Sequence, residues 1–98
     1  MNDRRERRGR ECDLRAGRAY AVRACSGCHV VVPGQKPPAS PPVKGAPSFR
    51  SIANDPTTSV VGLHAFLDTP HRNMPNIVVP RDELADLIAY IMSLRQLM

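Results

Sequence analysis

Six of the fifteen residues from Pro33 to Pro47 are proline, and Gly34 and Gly45 stand among them. Proline fixes φ and has no N–H to donate, so neither a helix interior nor a central strand can run through this segment. In a chain of 98 residues, so long an irregular stretch near the middle confines regular structure to either side of it. Long structureless loops are uncommon in small domains, and this one is expected to wrap something or to carry function.

Before that segment the pattern turns helical at Leu14. Leu14, Ala19, Tyr20, Val22 and Ala24 offer small or apolar contacts, with arginines between them. This helix leads directly into Cys25-Ser26-Gly27-Cys28-His29. After the prolines, Phe49 to Ala53 suits a short helical turn. Asp55 is a good N-cap and Pro56 suits a first helical position, so a helix is expected from there. Val60, Leu63, His64 and Leu67 would share one of its faces, and it should end at Thr69-Pro70. The clearest element is the last. Pro80 precedes it, Asp82 and Glu83 favour its positive end, and Leu84, Leu87, Ile88, Ile91 and Leu94 recur at helical spacing. With no alternating strand pattern and no internal repeat, the expected fold class is all-α. Residues 1–13 are charged and aperiodic and are expected to form a disordered basic arm, with one domain over residues 14–98.

A domain of this size builds only a modest core, and the four aromatic residues, Tyr20, Phe49, Phe66 and Tyr90, with no tryptophan, make it thinner still. Something other than protein is expected to fill part of the interior. The Cys25-x-x-Cys28-His29 motif points to what that is, because this spacing reads as c-type haem attachment. Two thiols one helical turn apart can each add across one vinyl group of a haem to give thioethers. The adjacent imidazole then reaches the iron from the same side. Two other uses of the motif stay open. A redox-active dithiol prefers a strand-to-helix setting, which this sequence lacks. A zinc site would need completion by Cys12, His29, His64 or His71, and no second tight ligand pair is present. Cys12 is left as a spare thiol.

A haem held by His29 has one more axial position. Met74, His71, His64 and Met92 are the candidates. Met92 lies beside Ile91 in the last helix, where packing explains it, and His64 sits on an ordinary helix face. Met74 stands in Thr69-Pro70-His71-Arg72-Asn73-Met74-Pro75-Asn76, a stretch of turn formers in which a lone methionine has little packing reason to be. Its thioether is a good iron ligand, so Met74 is the expected sixth ligand with His71 in reserve. Iron closed by His29 and Met74 excludes substrate and exchanges electrons without rearranging bonds, which describes a carrier and not an enzyme.

The formal charge of +5 is unevenly placed. Residues 1–23 hold eight arginines against four acids (+4), and residues 24–98 hold six basic against five acidic residues (+1). The body is nearly neutral and has no cluster of aromatics on which bases could stack, so nucleic acid is not an expected partner. No run approaches the ~18 apolar residues of a membrane span. No apolar stretch of signal-peptide type follows the arginine-rich start.

Taken in order, these features resemble the class I c-type cytochromes of the small bacterial monohaem kind, over about Gly17 to Leu94. Gly17 and Tyr20 precede the haem motif, Gly45-Ala46-Pro47 is similar to the family's Gly-Pro element, and Asn73-Met74-Pro75-Asn76 looks like its methionine loop. Asp82 to Ile91 looks like its closing helix. The resemblance implies a cytochrome c fold of three to four helices around one haem c, bonded through Cys25 and Cys28. The first and last helices should cross near Gly17 and Tyr90. Pro47 should offer its carbonyl to the second ring nitrogen of His29. The implied function is single-electron transfer between transient redox partners, by a monomer in the periplasm. A haem subunit of a larger oxidoreductase and a zinc-stabilised binding module are the alternatives.

Overall fold

The computed structural model describes residues 12–38, 46–69 and 78–96. The expected arm falls almost wholly outside them. Among the described residues there are four helices and no strand: α1 (Leu14–Ala24), α2 (Phe49–Asn54), α3 (Val60–Leu67) and α4 (Arg81–Ser93). The all-α expectation holds.

Three of the four described helices start where a side chain satisfies one of the free N–H groups. Asp13 caps α1 by accepting from the Ala16 N–H at 3.1 Å, and Ser48 and Ser59 do the same for α2 and α3. The start of α3 differs from the sequence expectation. Asp55 and Pro56 do not open it; the Asp55 carboxylate accepts from the Thr57 N–H and hydroxyl at 2.8 and 2.7 Å, and its carbonyl accepts from the Thr58 N–H at 3.0 Å. Asp55 is spent on a turn, and the helix begins four residues later on the Ser59 hydroxyl. At α4 no side chain caps the first turn; Asp82 and Glu83 supply negative charge there instead.

The core is built on α4, which buries Leu84, Leu87, Ile88, Tyr90 and Ile91 and packs against all three other helices. Its principal partner is α1. Only Gly17, Tyr20 and Ala21 of α1 are buried, while Leu14 and Val22 remain about half exposed and Ala19 and Ala24 face solvent. The buried stripe of α1 is therefore narrower than its apolar content implied. Gly17 selects it: a Cβ there would lie 2.0 Å from the Asp86 carbonyl oxygen and 2.9 Å from Tyr90 Cβ. The backbones approach more closely than any side chain permits. The crossing of first and last helices near Gly17 and Tyr90 is as expected.

Asp86, almost wholly buried, ties the same crossing from the other side by accepting from the Asp13 N–H at 3.0 Å. Phe49, Ala53, Val31 and Val79 complete the core. At the far end of α4, the Arg95 guanidinium donates to the carbonyls of Ala53, Asp55 and Thr58 at 2.7, 3.3 and 2.8 Å. The α2–α3 connection is thereby fixed to the segment that follows α4.

Candidate functional site

The cysteine motif forms the turn that ends α1. Cys25 is the C-cap, its N–H donating to Ala21. Its carbonyl accepts from Cys28 at 3.2 Å and from His29 at 3.0 Å. One tight turn thus brings both thiols and the imidazole into a single neighbourhood, because residues three and four positions apart in such a turn share a side. Both cysteines are half-buried. Burial, and next the neighbouring Cys28, push the Cys25 thiol up to about 11. A thiol held so strongly protonated is the opposite of an activated redox cysteine, which needs a stabilised thiolate.

His29 is buried, and its ring meets Phe49 at a centroid distance of 5.3 Å. Its Nδ1 lies 2.5 Å from the Pro47 carbonyl oxygen. A carbonyl only accepts, so Nδ1 carries the proton and Nε2 keeps its lone pair free for a metal. The Pro47 contact expected from the resemblance is present as geometry. It is reinforced next door by the Phe49 N–H, which donates to the Val30 carbonyl at 2.9 Å.

The remaining candidates divide. Met92 is half-buried and packs on the core, in keeping with its reading as a packing residue. His64 is exposed on α3. Met74, His71 and Gly45 lie outside the described residues. Among the described residues, no three histidines, cysteines, aspartates or glutamates converge to hold a metal ion, so a zinc site has no ligand set there. No described helix is long and apolar enough to cross a membrane.

The donor set suits a haem. Two unpaired thiols can form thioethers, and one imidazole of fixed tautomer presents Nε2 beside them. Apolar surface also remains for a large flat group to cover: α3, with the sequence Val-Val-Gly-Leu-His-Ala-Phe-Leu, buries none of its residues fully. Leu63 and Leu67 reach the core only in part, and Val60, Val61, Phe66 and Val78 stay largely exposed.

Sequence reasoning did not find Gln35. Its side chain touches the backbone on both sides of Val30, from His29 to Val32. The Pro33-Gly34 pair was the available signal, since that dipeptide predicts the tight turn that returns Gln35 to the motif.

Comparison with known proteins agrees with this chemistry. The family model described as Cytochrome c matches residues 14–95. A "Cytochrome c-552" from Bradyrhizobium diazoefficiens is 41% identical over 83 residues, covering 85% of this chain and 76% of that protein. No solved structure matches significantly. The chain thus belongs to the cytochrome c family, electron carriers with a covalently attached haem c.

Proposed function

We propose that this chain carries single electrons between larger redox proteins through one haem c, bonded to Cys25 and Cys28 and ligated by His29 and Met74. The observation that carries the reading is the buried His29 imidazole, held by Pro47 beside two half-buried thiols. When bound, the haem supplies an iron that cycles between ferrous and ferric states by one electron.

The protein's own part is to hold and orient. Cys25 and Cys28 would hold the haem as thioethers, each S–H being taken up whole by one vinyl group with no leaving group. The two thioethers keep the cofactor from dissociating. Pro47 fixes the plane of the imidazole and strengthens it as a ligand by accepting a hydrogen bond from its Nδ1–H. Met74 would be the second protein ligand, a soft, neutral sulfur that would favour ferrous iron and keep small molecules out. Such a carrier is not an enzyme. We place it in the periplasm, where c-type cytochromes resembling it are assembled, as a monomer meeting its partners transiently.

The reduced protein, matured with its haem-attachment machinery, should show sharp α and β bands, and its colour should survive acid-acetone extraction. Its mass should equal the polypeptide plus one haem. A colourless product of bare polypeptide mass refutes the proposal.

A further inference from the structure

We propose that Gln35 is a positioning residue for the axial histidine, its side-chain amide clamping the backbone that carries His29. The inference rests on the reading of His29 as the iron ligand.

The geometry begins with a turn. Val32, Pro33, Gly34 and Gln35 form it, with the Gln35 N–H donating to the Val32 carbonyl at 3.2 Å. Gly34 takes φ +85, the value that the third residue of a type II turn requires. The chain reverses there, and the Gln35 side chain lies back along residues 29–32. Its Oε1 accepts from the Val31 N–H at 2.9 Å and, more weakly, from the Val32 N–H at 3.4 Å. Its Nε2 donates to the His29 carbonyl at 3.0 Å. These partners fix the orientation of the amide, since two N–H groups can meet only its oxygen and a carbonyl only its nitrogen.

Each carbonyl from His29 to Val31 is then held by a different group. Val31 accepts from the Tyr90 hydroxyl at 2.6 Å, Val30 from the Phe49 N–H, and His29 from Gln35. The ring of His29 is meanwhile fixed on Pro47. Pro47 and Phe49 face His29 and Val30 as neighbouring pairs, so any slide of residues 29–32 along that segment alters the contact between Nδ1 and Pro47. Gln35 holds the histidine's own peptide against such a slide. Leucine fills a similar volume with none of these three bonds. Glutamate keeps the accepting arm but sets an oxygen against the His29 carbonyl, which isolates the donating arm.

The test compares the haem-loaded wild-type protein with Gln35→Leu and Gln35→Glu. The readouts are solvent exchange of the His29 Nδ1 proton by NMR in the ferrous state, and the reduction potential. Gln35→Leu should exchange that proton about tenfold faster, the effect of about one net hydrogen bond lost. It should also raise the potential, because a loosened Nδ1–H leaves a less basic ligand. Gln35→Glu should exchange faster than wild type by a smaller factor, and it decides the matter if the leucine variant does not fold. Exchange within twofold of wild type in the folded variants overturns the proposal, however much their global stability falls. If ferric wild-type protein shows no hyperfine-shifted His29 ring protons, the ligation reading itself fails. Normal ligation with unmoved variants refutes only the role of Gln35.

Discussion

Replacing Gly17 by alanine should break the α1–α4 crossing, although alanine is the better helix former. The new Cβ would sit 2.0 Å from the Asp86 carbonyl oxygen, 2.7 Å from its carbon and 2.9 Å from Tyr90 Cβ. The first of these is inside ordinary contact by more than 1 Å, given that a carbon meets a carbonyl oxygen at about 3.3 Å. Two of the three atoms are backbone, so no rotamer change relieves the clash and the helices must part. Overpacking costs about 1–3 kcal/mol, and a backbone obstacle belongs at the top of that range, about 3 kcal/mol. The gain in helix propensity returns about 1 kcal/mol. The net loss of about 2 kcal/mol corresponds to a melting point lower by about 8–16 °C for a domain of this size. Thermal and urea unfolding of the haem-loaded protein, followed by circular dichroism, would read it. Ala19→Gly, at an exposed position of the same helix, is the control and should cost about 1 kcal/mol from propensity alone. If Gly17→Ala melts at or above wild type, the close approach of the two backbones is wrong.

Arg95→Leu should lower stability by about 2 kcal/mol, since it leaves three carbonyls without their charged donor. Arg95→Lys should recover less than half of that in the same melting assay, because one ammonium cannot span the positions that a planar fork reaches. Gly34→Ala should cost about 1 kcal/mol through its left-handed backbone, with open space around the new methyl; Gly27→Ala, equally uncrowded and without positive φ, should be far milder, and equal urea midpoints for the two would contradict the turn. Met74→Ala should abolish the methionine-to-iron charge-transfer band of the ferric protein and lower its potential; survival of the band would remove Met74 as ligand.

The parts of the fold legible beforehand were those whose chemistry is local. The spacing of Leu84, Leu87, Ile88 and Ile91 specifies a helix by itself, and the five residues from Cys25 to His29 are enough to point to the family that the chain matches. The start of α3 was not legible, because Asp55-Pro56 and Ser59 are both good opening signals. The contest between them is settled by a side chain bonding two residues along and by an arginine forty residues away. The buried stripe of α1 was misjudged for a related reason. Leu14 and Val22 are the more apolar residues, but the missing side chain of Gly17 decides which side α4 can approach. Gln35 and Arg95 belong to no periodic pattern at all. Their roles exist only once a turn or a chain end has delivered them to carbonyls elsewhere.

The bond between the Asp13 amide and Asp86 joins positions 73 apart, so the interior is sealed where the start of α1 meets α4. Closing so large a loop loses entropy before any packing repays it, and this weights folding towards one all-or-none event instead of stepwise assembly. A chain without the thirteen residues of α4 lacks most of the large buried apolar side chains on which to collapse. Deleting α4 should accordingly abolish the native state outright, with no stable remnant left behind.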